Sequence, residues 1–595
     1  MQRRRPVRSP GKRQKLKQMK TAGKQNFMHG AAILTAGVII MKILGAIYKI
    51  PLGSILGDYG YGIFIATYTV YNIFFTLSTS GMPVALSRLI AEADASGRKE
   101  RKEQTFRAAL GTFAVIGIVF SSVMFFGSGW LANHYLMKPE AALSVKAMSP
   151  AILLVCLVSA YRGYCQGNGN MIPTTVDEVL EVLFKVISGL IISGVLVKTG
   201  HGLPQASAGA ILGVSIGSVV SLSYMVVYKR RFYSEKDAKS APDSGIRNCP
   251  ASGAAADENG KNTDGSGQYV PRHLKEGSRA RSIAVSGSTG AIVKNILRIG
   301  IPISLGASIM AILTSLDPGI CQSRLEAAGY SEYTAGVLYG VYAKVQTLFN
   351  LPAAFMTPLT IAIVPAVAGA IAGGSREEAN RSSEDAMRIS SVISMPMGVG
   401  LMVLAYPIVN VLYPGSHEAG PGLLTIMGAA SFFVCLVLME NAVLQASGKE
   451  RLPMYAMVTG SVVKIIINWI IIADPKINIY GAPVGTLFGY VCMAVMDYIF
   501  IRRSINMNPS LLRVFGRPLL CSALMGAAAG GTYLLLSKIV GTASKIKLAI
   551  CMAGGVGIAV VVYAAAVVLF KAVTMKDMKL IPGGEKIGKL LHMKE

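Results

Sequence analysis

Val556 to Leu569 reads VGIAVVVYAAAVVL, without one charged side chain. In hydrocarbon no water is at hand for a backbone N–H or C=O, so such a run must close its hydrogen bonds internally, as a helix. Together with its flanks it fills 546–570, long enough to cross about 30 Å of hydrocarbon. Blocks of the same kind recur, among them Ala151 to Val158 (AILLVCLV) and Ile465 to Ile472 (IIINWIII). Charged residues make up 15% of the chain, against about 25% in soluble domains, and mean hydropathy is +0.50. The short alternating segments of a membrane barrel are absent. The expected fold is an all-α polytopic membrane protein of about fourteen transmembrane helices, the first over 27–50.

A net charge of +27 raises the question of nucleic acid, but its placement answers it. Lys and Arg crowd into alternate connections: the first 24 residues, Arg88 to Arg107, Lys229 to Arg298, Arg376 to Arg388, Lys449 to Arg451, Arg502 to Arg517 and the C-terminal tail. The intervening connections hold few, such as Lys138, Lys198, Arg324 and Lys476, beside the acid Asp58, with Lys538, Lys545 and Lys547 the densest group. By the positive-inside rule both termini are cytoplasmic and the helix number is even. A bacterial cell membrane location follows, with membrane lipids as neighbours and no nucleic-acid partner.

The expected divisions are a basic cytosolic tail (1–26), a first six-helix lobe (27–231), a linker (232–290), a second six-helix lobe (291–503), two further helices (504–570) and a tail (571–595). The linker is rich in Ser, Gly, Ala, Asp and Lys and lacks an apolar cluster, a composition expected to stay disordered. The last tail interleaves Lys with Met, Leu and Ile and suits an anionic leaflet. The two lobes repeat one another: Tyr61-Gly62 answers to Tyr339-Gly340, Thr69 to Thr347, Asn72 to Asn350 and Lys185 to Lys464. Halves of this kind place a substrate site between them, near mid-bilayer.

Lys42, Lys185, Lys344 and Lys464 fall well inside apolar blocks, with Lys49 nearer one end. Each costs about 2.5–3.5 kcal/mol to insert, so each needs a carboxylate or a wet cavity. Glu181, four residues before Lys185, is placed for a helical ion pair. The other three have no local acid and are expected to line a central cavity suited to an anion, with Thr69, Asn72, Thr347 and Asn350 available for hydroxyl or amide groups. Asp177 and Glu178 suit a helix N-terminus, Asp317 before Pro318-Gly319 a turn, and Asp497 a pair with Arg502. Glu440 and Glu181 are the candidates for ion or proton coupling. No CxxC pair, HExxH or Gly-rich phosphate loop occurs and the histidines are scattered, so no catalytic residues, metal or cofactor are expected.

Several stretches resemble a known group. AGVIIMKILGAIYKIPLGSILG (36–57), the segment from Tyr59 to Glu92 ending GMPVALSRLIAE, Arg162-Gly163-Tyr164-Cys165-Gln166-Gly167 with Pro173, Ile363-Val364-Pro365-Ala366 and Leu444-Gln445-Ala446-Ser447-Gly448-Lys449 are similar to polysaccharide-biosynthesis flippases. These belong to the multidrug/oligosaccharidyl-lipid/polysaccharide exporter superfamily, and the branch resembled is the stage V sporulation protein B group, related to MurJ lipid II flippases. The resemblance implies two lobes around a V-shaped cavity and a monomer that moves an undecaprenyl-diphosphate-linked saccharide, such as the peptidoglycan precursor lipid II, across the membrane. It implies a substrate-binding role for Lys42, Lys49 and Lys344. The resembled pattern has an acid directly before the last of these, where this chain has Ala343. Rival expectations are a cation-coupled multidrug exporter of the same fold, which would want acids in the cavity, and a membrane glycan polymerase or ligase, or an envelope-assembly scaffold.

Overall fold

The computed structural model describes residues 47–95, 99–233, 289–372, 376–504 and 510–572, with isolated positions between 37 and 45. The basic tail, nearly all of the linker and of the final tail, and Lys42 lie outside the described residues.

Among the described residues the chain is helical and has no strand. Twelve helices are long and apolar enough to cross a membrane. Helical residues 47–55 overlap the expected first helix and run five residues past its expected end at 50, and a helix of 41 residues covers Glu332–Ala372. The helices used below are α1 (Gly57–Thr79), α2 (Met82–Ala95), α3 (Lys99–Phe126), α4 (Ala142–Gly167), α5 (Ile172–Lys198) and α6 (Leu203–Tyr228). They continue with α7 (Thr289–Ser315), α8 (Asp317–Ala327), α9 (Glu332–Ala372), α10 (Arg376–Val403), α11 (Ala405–Leu412) and α12 (Ala419–Ala446). The last are α13 (Arg451–Ile471), α14 (Gly481–Ser504), α15 (Leu511–Val540) and α16 (Lys545–Leu569).

Local chemistry sets several boundaries. Pro173 and Pro204 stand in the first turns of α5 and α6, where a missing N–H costs nothing. The chain bends at Ser80-Gly81 and restarts as α2, so part of the expected cationic loop after residue 83 is helical. Asp317 is no turn residue: with Pro318 behind it, it opens α8 and is buried.

Helices α1 to α6 pack on one another, and so do α9, α10, α12, α13 and α14. Helix α15 lies on α10, and α16 on α15 and α11. The two sets meet where α1 lies along α9 and where α7 lies across α1, α2 and α3. At the first crossing the repeat-related Gly62 and Gly340 face each other, and a Cβ on Gly62 would lie 3.2 Å from the Gly340 Cα. Small residues let helix backbones approach this closely. At the second crossing the Gly81 N–H donates to Ser304 Oγ at 3.1 Å.

Candidate functional site

A cavity of about 300 Å³ lies where the two sets of helices meet. Tyr68, Thr69 and Asn72 reach it from one face of α1, and Gln346, Thr347 and Asn350 from the matching face of α9. The spacing i, i+1, i+4 puts each trio on one helix surface. Lys49, Thr314, Asp317, Lys464 and Thr486 add to its polar lining. Tyr61 ties the two walls, its hydroxyl 2.8 Å from Thr347 Oγ1. Thr69 donates to its own helix at Ala66 O, 2.7 Å, and Asn350 to Gln346 O, 2.8 Å. The Asn72 and Asn350 side chains are exposed to the cavity. A second cavity of about 370 Å³ shares Thr314, Lys464, Thr486 and Tyr490 with the first and is otherwise largely apolar, with Val434, Leu438, Met457 and Met493 in its wall.

The structure thus brings together Lys49, Lys464 and all four polar residues singled out from sequence. It does not leave all the lysines alike. Lys49 is half-buried on the cavity wall. Lys185 is half-buried behind Tyr68, its Nζ 5.9 Å from the ring centroid. Neither forms an ion pair among the described residues. The helical pair expected between Glu181 and Lys185 is absent because Arg162 takes the acid. Its Nη2 lies 2.8 Å from Glu181 Oε2 and its Nε 2.6 Å from Asp177 Oδ2, with Glu178 at 3.8 Å. A planar guanidinium can serve several carboxylates at once, which a lysine ammonium does less well. Asp177 also accepts from Ser221 Oγ, so it is a buried ion-pair member as well as an early residue of α5.

For two of the lysines expected to stand unpaired in the cavity the reading is corrected: Lys344 and Lys464 each hold a carboxylate, and Lys344 is not among the residues that line the cavity. Lys344 is 3% exposed, its Nζ 2.6 Å from Asp58 Oδ1 and 5.2 Å from the Tyr413 ring centroid. Asp58 further accepts Ser416 Oγ at 2.7 Å and the His417 N–H at 2.8 Å. Where the resembled pattern has an acid beside the cation, this chain has Ala343 and draws the carboxylate from α1. Lys464 is paired with Asp317. A buried ammonium left alone is costly, and a carboxylate within reach is the cheapest remedy.

Glu440 is buried, its Oε2 without a hydrogen-bond partner. Asp497 does not pair with Arg502. It is fully buried and neither of its oxygens has a hydrogen-bond partner among the described residues. Five residues along a helix is a rotation of about 140°, off the shared face that three or four would give. Sequence reasoning missed Asp58 as a partner, 286 residues from Lys344, and nothing local signals it. Gln346 could have been found, four residues before Asn350 on the same face.

Comparison with known proteins extends the reading. Residues 27–249 match the family model described as polysaccharide biosynthesis protein, and 283–573 the one described as lipid II flippase MurJ. An uncharacterized membrane protein of Bacillus subtilis, YabM, is 24% identical over 95% of this chain and 97% of its own. Stage V sporulation protein B of the same organism is 24% identical over 80% of this chain and 83% of its own. The fold is similar to a lipid II flippase MurJ in an inward closed conformation, with a TM-score of 0.62 at 15% identity, covering 92% of this chain and 100% of that one. The helices, the cavity between two packed sets and both family matches agree: this chain is a multi-pass bacterial plasma-membrane protein and belongs to the multidrug/oligosaccharidyl-lipid/polysaccharide exporter superfamily.

Proposed function

We propose that the chain flips an undecaprenyl-diphosphate-linked oligosaccharide, lipid II or another cell-envelope unit, from the cytosolic to the outer leaflet by alternating access. The observation that carries this reading is Lys49 on the wall of a cavity lined by hydroxyls and amides, with Lys185 behind the lining residue Tyr68, neither of them in an ion pair among the described residues. Such a site attracts a diphosphate, and Asn72, Gln346, Thr347 and Asn350 suit sugar or peptide groups beside it. The prenyl chain stays in lipid while the headgroup crosses. With cytoplasmic termini, moving each negative charge outward along an inside-negative potential gains about 2.3 kcal/mol per 100 mV. The described side chains bind and release, and no bond is made or broken.

The same two lysines oppose a lipophilic cation, which separates this reading from a multidrug exporter. The test is reconstitution in liposomes with a fluorescent polyprenyl-diphosphate saccharide and a membrane-impermeant quencher. Protein-dependent exposure of the headgroup is expected. No exposure, together with uptake of a lipophilic cation, would overturn the proposal in favour of drug export.

A further inference from the structure

We infer that Glu440 and Asp497 form one proton-binding site, a carboxyl pair beyond the end of the second cavity. The two residues sit on α12 and α14, which pack together. Leu436 and Val437 of α12 share a buried apolar cluster with Met493 and Ala494 of α14. One helical turn further along both helices, four residues in each case, the next positions to meet are Glu440 and Asp497. Glu440 is 2% exposed and Asp497 0%. Glu440 Oε2 and both Asp497 oxygens have no hydrogen-bond partner among the described residues.

The charged groups on the helices packed against them leave the pair alone. On α10, Arg388 lies 2.9 Å from Asp385 and Glu384 accepts the Ser510 N–H. Lys344 of α9 is held by Asp58, and Lys464 of α13 by Asp317. Among the described residues, Arg451 at the start of α13, and Arg502 and Arg503 further along α14, form no ion pair with either carboxyl. The nearby titratable side chains Cys435 and Tyr490 offer no positive charge.

Two ionised carboxylates buried with no cation and no donor repel one another and lack solvation. One shared proton turns one group into the donor that the other needs. A hard metal ion would instead want about six oxygen ligands. The neighbours here are Leu, Val, Met and Ala, and no group of three acidic, His or Cys ligands exists among the described residues. The pair is also connected to the cavity. Asn441, next to Glu440, and Met493, one turn before Asp497, both line the second cavity. Glu440 lies six residues, about 9 Å, from the end of α12, on the side of the cation-rich connections. A proton taken up or released there accompanies the turnover of the anionic cargo. This deepens the transporter reading and depends on it for purpose, but not for measurement.

Infrared spectra of the full chain in lipid bilayers test it without any cargo. A protonated-carboxyl C=O band is expected at neutral pH, absent from the E440Q/D497N variant and unchanged by Na⁺ at fixed pH. Lack of the band in the unaltered chain, or its disappearance on adding Na⁺, overturns the proton assignment. In liposomes an imposed pH gradient should speed flipping several-fold in the unaltered chain and not in E440Q, which keeps the volume of the side chain. Gradient-driven flipping that survives in E440Q/D497N also overturns it. Loss of all flipping with the infrared band intact would instead count against the cargo.

Discussion

Lys185 and Lys464 occupy corresponding places in the two halves of the repeat, yet one lies without a carboxylate behind Tyr68 and the other is bound to Asp317. The difference has a traceable cause. The acid near Lys185 is taken by Arg162, and the position that answers to Asp317 falls in Val38-Ile39-Ile40-Met41, which offers no carboxylate. The same division separates Lys49 from Lys344, which Asp58 holds. A lysine paired in this way adds no net charge to its surroundings. Of the two lysines that line the cavity, only Lys49 therefore brings an unpaired charge, while Lys464 brings a carboxylate with it.

The comparison can be broken most directly through the unpaired lysines. Replacing Lys49 and Lys185 together by Ala should lower headgroup flipping about a hundredfold, at roughly 1.5 kcal/mol per charged contact, with membrane insertion unchanged. Flipping rates near those of the unaltered chain would erase the distinction between unpaired and paired lysines. Among the paired ones, Lys464→Ala should destabilise the chain by about 3–5 kcal/mol, because it strands a buried carboxylate, whereas replacing Lys464 and Asp317 together by Met and Leu should recover most of that. Equal melting temperatures for the single and double variants would show that the pair is not structural. Asp58→Asn converts a paired cation into an unpaired one, and headgroup affinity should rise about fivefold, near 1 kcal/mol. Unchanged affinity would mean that Lys344 does not face the cargo even when released.

The smallest effect concerns Lys138, which lies outside the apolar spans and touches both walls. Its Nζ has no hydrogen-bond partner and sits 5.9 Å from the Tyr59 and 5.1 Å from the Tyr339 ring centroid. Burial pushes its ammonium down to about 8. The unfolded chain keeps that proton to a higher pH, so stability should rise between about pH 8 and 10.4. Lys138→Met should remove this slope and raise the melting temperature at neutral pH by about 2 °C. A melting temperature that falls instead would show that the ring contacts outweigh the desolvation.

The helical, membrane-spanning character could be read from runs such as Val556 to Leu569, because hydrocarbon leaves the backbone no alternative. The polar trios on α1 and α9 were equally legible, since helical periodicity alone puts Thr69 with Asn72 and Thr347 with Asn350. Charge pairing was not. Asp58 and Lys344 are 286 residues apart, and Asp317 and Lys464 are 147 apart, so no spacing rule reaches them. Where a spacing rule did apply, at Glu181 and Lys185, a guanidinium from α4 displaced it. Sequence identifies which charges are buried, while tertiary packing decides which of them are neutralised.

Helix α9 carries Pro352, Pro358 and Pro365, all past the residues that line the cavity. Each lacks the N–H that would have bonded residue 348, 354 or 361. The first gap in the ladder thus falls at residue 348, between Thr347 and Asn350, and the others follow towards the end of the helix, so bending is easiest from the cavity onwards. If the cavity holds a cargo as proposed, bending of this helix of 41 residues would be transmitted directly to Asn350 on the cavity wall.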